Sequence, residues 1–197
     1  MTWYSQCGQD EWVCEVLGNK KNGVFVEIGS YDGIESSNTL HLEKELGWTG
    51  LCIESNPGPY AKCVTNRTCP TIWKAVLPYK GYCVFDRIWT HPYNDGSHPN
   101  AVPCDLLDTI LDENKLPRDI DYISFDTEGH EFSILETFPF DKWNVKLMTI
   151  EHNLYLNGPA LKNATMKLML SKGYVCSKEN MYDAKSPGPY EDWFIKV

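Results

Sequence analysis

The stretch GVFVEIGSYDG, residues 23–33, decides how the chain folds. Val24, Phe25, Val26 and Ile28 make a short apolar run rich in β-branched and aromatic residues. Its length suits a buried strand better than a helix. The run ends at Gly29, and Gly33 follows. Glycine at these positions allows a tight turn and lets a ligand approach the backbone closely. The turn carries Ser30 and Asp32, and Glu27 lies inside the strand itself.

Working outward, SNTLHLEKELGW (37–48) sets Leu40, Leu42 and Leu46 among charged residues, with Gly47 closing a helix. GLCIE (50–54) is a second apolar strand, and PGPYAKCVTNR (57–67) a helix with proline in its first turn. TIWKAVL (71–77) reads as a third strand and the alternating GYCVFDRI (81–88) as another. Residues 89–103, WTHPYNDGSHPNAVP, are rich in Pro, Asn and Gly and are expected to be irregular. CDLLDTILDENKL (104–116) has helical spacing at Leu106, Leu107, Ile110 and Leu111. IDYISFD (120–126) and VKLMTIE (145–151) are strong strands, and GPALKNATMKLMLSKGY (158–174) is a helix closed by Gly173. YVCS (174–177) and DWFIKV (192–197) suit a terminal antiparallel pair. This alternation predicts an α/β fold, a mostly parallel sheet with helices on both faces. No repeat, low-complexity tract or Gly/Ser linker divides the 197 residues, so a single domain over 1–197 is expected.

An apolar content of 42% and a charged content of 23% are those of a soluble globular protein. The net charge of −9 argues against nucleic acid or an anionic membrane surface as the main partner. No run reaches the roughly 18 apolar residues of a membrane span. The first residues lack the basic and then apolar pattern of a signal peptide. Eight cysteines form no C-x-x-C, and Cys52 sits within an apolar run. Reduced thiols and a cytoplasmic location are therefore expected, and the sequons NRT (66–68) and NAT (163–165) are read as chance matches.

In α/β sheets a ligand lies beyond the carboxyl ends of the strands, where the strand order reverses. The expected strands end in EIGSYDG, IESNP, FDTEGHE and IEHN. Each brings carboxylates to one edge: Glu27 and Asp32, then Glu54, then Asp126 with Glu128, then Glu151. Burying like charges together is costly unless something cationic joins them. The first loop lacks G-x-G-x-x-G and a Walker lysine, and its acidity repels phosphate. Glu54, closing the second strand, suits both hydroxyls of a ribose. A ribose, an amino group, a sulfonium and no phosphate together describe S-adenosylmethionine. Each signal has a plain structural reading when taken alone, since Glu27 can cap a turn. Their order and spacing favour the cofactor.

Residues 25–57, FVEIGSYDGIESSNTLHLEKELGWTGLCIESNP, closely resemble the opening of FkbM-type S-adenosylmethionine-dependent methyltransferases. VPCDLLDTIL (102–111) with IDYISFDTEGHEFSIL (120–135) resembles their second signature, and SQCGQDEWV (5–13) the lead-in helix of one branch. Ser55 departs from the proline common in the family at that place. The resemblance runs from residue 5 to about 153. It implies a class I methyltransferase fold, Rossmann-like, with a seven-stranded sheet whose last strand is antiparallel. It also implies O-methylation of a sugar or glycan hydroxyl, or of a polyketide hydroxyl. By the same resemblance Gly29, Ser30, Asp32, Asn38, Glu54 and Asn56 would line the cofactor pocket, with Glu27 and Ser55 beside them. Asp126 would stand next to the methionine moiety and the acceptor. The brevity of the chain also fits one catalytic module of a longer glycan-processing polypeptide.

A sugar hydroxyl is a poor nucleophile at neutral pH, so a base must take its proton or a metal must acidify it. His130 and His152 follow adjacent strand ends and are the base candidates. Asp126, Glu151, His152 and Asn153 also form an oxygen and nitrogen set suited to Mg²⁺ or Mn²⁺. The plain readings are a solvent-facing helix start for His130 and a supporting hydrogen bond for His152. In the irregular segment Trp89, His91, Tyr93, Asp95 and His98 are sugar-contacting types, expected to cover the acceptor. Two competing classes are a catalytically silent glycan- or partner-binding domain and an NAD-dependent oxidoreductase. Intact DTEGHE and IEHN argue against the first, and the missing G-x-G-x-x-G against the second. The oligomeric state is not legible.

Overall fold

Alternation along residues 24–28 sets two faces for the central strand, because successive side chains of a strand point opposite ways. Phe25 and Glu27 face one layer of helices, and Val26 and Ile28 the other. The structure, a computed structural model, describes residues 2–85, 90–93, 97–183 and 185–197, with the main chain alone at 90–93.

The chain opens with α1 (Gln9–Val16), β1 (Val24–Ile28), α2 (Leu40–Leu46), β2 (Thr49–Glu54) and α3 (Pro57–Asn66). Next come β3 (Thr71–Trp73), β4 (Ala75–Val76), β5 (Gly81–Phe85), β6 (Thr90–Tyr93), β7 (Val102–Asp105) and α4 (Leu107–Glu113). Last are β8 (Asp119–Phe125), α5 (Glu131–Thr137), β9 (Asn144–Glu151), α6 (Leu154–Asn157), α7 (Pro159–Ser171), β10 (Tyr174–Met181) and β11 (Glu191–Lys196). The main sheet has seven strands in the order β10-β11-β9-β8-β1-β2-β3. β1 pairs in parallel with β2 and β8, and β11 runs antiparallel to both β9 and β10. This is the expected Rossmann-like class I methyltransferase sheet.

Residues 71–104 differ from their sequence reading. TIWKAVL is two strands: β3 ends the main sheet, and β4 starts a second sheet ordered β4-β7-β5-β6. The segment expected to be irregular supplies β6 and β7 to that sheet. Pro92 hides β6 from a reading by propensity, yet β6 is an edge strand, where a missing N–H is tolerated. The helix expected from residue 104 starts at Leu107, because Cys104 and Asp105 pair with Ala75 and Val76.

Helices cover both faces. Trp12, Val13, Leu42 and Trp48 pack on Phe25 and Tyr122, while Ile110, Ile134, Leu135 and Met169 pack on Val26, Ile123 and Phe125. Glu27 sits in the first of these layers, 3% exposed. A carboxylate there needs a partner. Arg67, at the end of α3, places Nη1 2.9 Å from Glu27 Oε2 and stacks over the Phe25 ring. Its Nε bonds Glu43 on α2, and its Nη2 donates to Thr39 Oγ1 at 2.8 Å. Glu27 also accepts from the Ser37 and Thr39 hydroxyls, the Asn38 N–H and, at 3.9 Å, the Cys52 thiol.

This network joins β1, α2 and α3, and removing its cation strands two buried carboxylates. Arg67→Met is expected to cost about 3–5 kcal/mol, read as a fall in the urea midpoint at constant slope. An unchanged midpoint would show that the network contributes nothing to stability.

Candidate active site

A cleft of about 500 Å³ opens above the carboxyl ends of β1, β2 and β8. It lies where the chain, having built outward through β2 and β3, returns to the other side of β1. That is the switch point at which α/β sheets bind ligands. The two sides of the floor nearly touch: a Cβ on Gly29 would lie 1.9 Å from the Asp126 carbonyl oxygen. Gly29 also has φ +80, so glycine is required there twice over.

The loop after β1 is held from below. Gly29 and Ser30 donate N–H bonds to the Ile53 carbonyl, and Ser30 is buried. Asp32 turns away from the cleft and accepts from the Ile34 and Glu35 N–H groups, both at 2.9 Å, so it shapes the turn. Glu54 closes β2 and accepts from Tyr31 N–H at 2.8 Å and Asn56 N–H at 2.6 Å. One bond on each oxygen leaves each with acceptor capacity beside the cleft it lines. Burial raises its pKa against those bonds. Asn38 donates Nδ2 to Ser124 Oγ at 2.7 Å, while its Oδ1 is buried with no partner. A buried acceptor without a partner, on a residue that lines the cleft, is a place where a ligand's donor would be needed. Glu27 also lines the floor, but its oxygens serve the Arg67 network.

Beyond β8 the carboxylates crowd. Burial first, then Glu128 and Glu131, push the half-buried Asp126 carboxyl well above the usual range. Glu151, its neighbour across the parallel strand ends of β8 and β9, is raised by burial and then by Asp126. Such a pair holds a proton between its members at neutral pH. Glu131 is buried and accepts from Thr127 N–H and Oγ1, both at 2.7 Å, and from Gly129 N–H, so it builds the turn before α5. Glu128 stands at the cleft with φ +56.

The histidines separate. His130 is half-buried on the cleft wall, and burial lowers its pKa, keeping the imidazole neutral at pH 7. His152 is buried behind the cleft, where its Nδ1 accepts from Leu154 N–H and its Nε2 lies 3.4 Å from Asp192 on β11. Asp126, Glu151 and His152 therefore do not converge as a ligand set. Among the described residues no group of three His, Cys, Asp or Glu side chains could hold a metal ion. The donors of the described residues form no site for a divalent cation.

Gly29, Ser30, Asn38, Glu54, Ser55, Asn56, Asp126 and His130 all line this one cleft. Trp89 and Asp95 lie outside the described residues, and His91 and Tyr93 fall on β6, described by its main chain. His98 does not line the cleft. Sequence reasoning missed the wall made by Lys74, Val76, Leu77 and Phe85, which comes from the second sheet. It also passed over Tyr31, inside the very turn that begins the site, a residue 46% exposed.

Carboxyls raised above their unfolded values bind more protons in the folded state. Their stabilising contribution is therefore lost as pH rises through the raised values. Glu151→Gln removes one such requirement. The thermal midpoint of the variant should exceed the wild-type value by a few degrees at about pH 8, with the gap closing toward about pH 5. A gap that opens in acid instead would contradict the shared proton.

Comparison with known proteins bears on what this cleft holds. Residues 27–176 match the family described as the Methyltransferase FkbM domain. No curated protein matches the chain. Fibrillarin of Aeropyrum pernix, solved with natively bound S-adenosyl-L-methionine, superposes with a TM-score of 0.57 at 10% identity, over 94% of this chain and 74% of that one. The precorrin-6y C5,15-methyltransferase of Geobacter metallireducens gives 0.54 at 12% identity, over 95% and 87%. The magnesium protoporphyrin IX methyltransferase of Synechocystis PCC 6803, with bound cofactor, gives 0.52 at 8%, over 95% and 76%. At such identities these likenesses speak for the fold. Motif, sheet and switch-point cleft agree with the family match: this chain belongs to the FkbM methyltransferases and is an S-adenosylmethionine-dependent enzyme.

Proposed function

We propose that the enzyme methylates a hydroxyl of a neutral sugar or glycan, using its own side chains rather than a metal to handle the proton. The observation that carries this reading is the character of the cleft: Tyr31 and Phe85 present exposed rings at a wall otherwise rich in carboxylates. Aromatic faces stack on the CH faces of a sugar, and carboxylates accept from its hydroxyls. An anionic acceptor would be repelled by Glu35, Glu54 and Glu128.

When bound, S-adenosylmethionine supplies a methyl group on a sulfonium, already activated for in-line displacement. Glu54 would take the ribose hydroxyls with its remaining lone pairs, and Asn38 would accept from the amino group through Oδ1. Gly29 and Ser30 let the cofactor lie against the loop, with Ser55 and Asn56 beside it. Asp126 would stand beside the cationic head of the cofactor, whose charge would favour loss of the carboxyl pair's proton to water in the cleft. His130, neutral and on the same wall, takes the acceptor's proton as the oxygen attacks. Most of the acceleration comes from holding the oxygen in line with the methyl carbon. The unpaired cysteines fit a reducing compartment such as the cytoplasm, and no helix among the described residues is long and apolar enough to cross a membrane.

Incubation with S-adenosylmethionine and a panel of neutral glycans should add one methyl mass to a sugar hydroxyl, with full activity in EDTA. Transfer confined to amines or carboxylates would overturn the acceptor assignment. Loss in chelator restored by Mn²⁺ would overturn the metal-free route. His130→Gln is expected to lower kcat on the order of 100-fold with cofactor affinity unchanged. The base must be neutral to act, so wild-type activity should fall as pH drops below its lowered pKa, itself under the usual 6.5. The variant should lose that acid limb, and a retained limb would assign the base elsewhere.

A further inference from the structure

Beneath the cofactor loop lies a set of thiols that the methyl transfer does not use. Cys52, near the middle of β2, has its Sγ 3.5 Å from Cys69 Sγ and 3.9 Å from Glu27 Oε2. Cys63, on α3, lies 3.5 Å from Ser30 Oγ and 3.8 Å from Thr71 Oγ1. Cys52 and Cys63 are fully buried, and Cys69 is half-exposed. Ser30 therefore rests directly on this cluster.

A second cleft, about 350 Å³, opens at the amino ends of β1 and β2, on the edge of the sheet away from the cofactor. Cys69 lines it, together with Thr68 and Pro70. It is wide enough to admit a small oxidant to a thiol that is otherwise inside the protein. The sulfurs already meet at 3.5 Å across neighbouring segments. Cys52 pairs in register with Thr71, and its N–H donates to the Pro70 carbonyl at 3.0 Å, which sets Cys69 beside it.

We propose that Cys52 and Cys69 are a peroxide-sensitive dithiol whose oxidation to a disulfide weakens cofactor binding. The Cys69 thiolate attacks hydrogen peroxide; an S–O bond forms, the O–O bond breaks, and hydroxide leaves as water after taking a proton. Cys52 sulfur then attacks the Cys69 sulfur, gives up its proton, and expels the second oxygen as water. Two thiols and one peroxide thus yield one disulfide and two waters. The sulfurs close from 3.5 Å to about 2.0 Å.

The consequence reaches the cofactor through Cys63. Its thiol is lowered to about 6, first by the hydrogen bond from Cys52 and then by those from Ser30 and Thr71. Oxidation removes the Cys52 S–H, which reaches Glu27 Oε2 at 3.9 Å on the cleft floor, and draws the Cys52 sulfur toward Cys69, disturbing the cluster that holds the Cys63 sulfur. Ser30, resting on that sulfur, loses its fixed support. One hydrogen bond's worth of support corresponds to about fivefold in affinity.

The test treats reduced full-length protein with hydrogen peroxide, then maps disulfides by peptide mass and titrates S-adenosylmethionine by calorimetry. A peptide joining residues 52 and 69, two hydrogens lighter, should appear with the affinity loss, and dithiothreitol should reverse both. Cys69→Ser, at a half-exposed position that tolerates the change, should bind normally and resist peroxide. A bridge at another pair such as Cys83 and Cys104, or an affinity unmoved by a mapped 52–69 bridge, would overturn the proposal.

Discussion

The ion pair between Glu27 and Arg67 is the constraint on which the cleft depends. Both side chains are buried, and their atoms meet at 2.9 Å inside the layer between the sheet and its first helices. Such a pair is weak evidence of stability, since desolvation offsets much of the attraction. Its value here is positional. Glu27 also gathers the donors of residues 37–39, and Arg67 also reaches Glu43, so β1, the start of α2 and the end of α3 share one origin. Asn38 is held by that network, and its unpartnered Oδ1 is fixed on the cleft wall as a result.

Three solutions to one electrostatic problem coexist along this sheet edge. Glu27 is neutralised by a guanidinium. Glu54 is satisfied by two main-chain N–H groups and keeps capacity for a ligand. Asp126 and Glu151 have neither, and they share a proton. The three differ in what they can do. The first is structural, the second is ready to bind hydroxyls, and the third is unstable as a dianion and so awaits a positive charge. On the proposed function, a cofactor carrying a ribose and a cationic head would meet the second and third together.

Much of this was legible in the sequence because its strands are buried on both faces. Residues 24–28, 120–125 and 145–151 read as apolar runs, and runs of that kind reveal parallel strands. The second sheet was not, for local reasons. A single residue, Lys74, carries the chain from one sheet to the other, too short an interruption to mark a boundary, and Pro92 disguises an edge strand. Within the site, carboxylate positions followed from strand ends, but their partners did not. Arg67 is 40 residues from Glu27. The orientation of His152 is set by Tyr190 and Asp192, which enter through β11, the last strand in sequence but not in space. Pairings made by tertiary folding leave no mark on spacing.

The account rests on the cleft above β1 and β8 receiving S-adenosylmethionine with its ribose on Glu54. The most direct measurement is a crystal structure with S-adenosylhomocysteine bound. It should show both ribose hydroxyls on the Glu54 carboxylate and the amino group within hydrogen-bond distance of Asn38 Oδ1. A ribose placed away from Glu54, or ligand density outside this cleft, would contradict it.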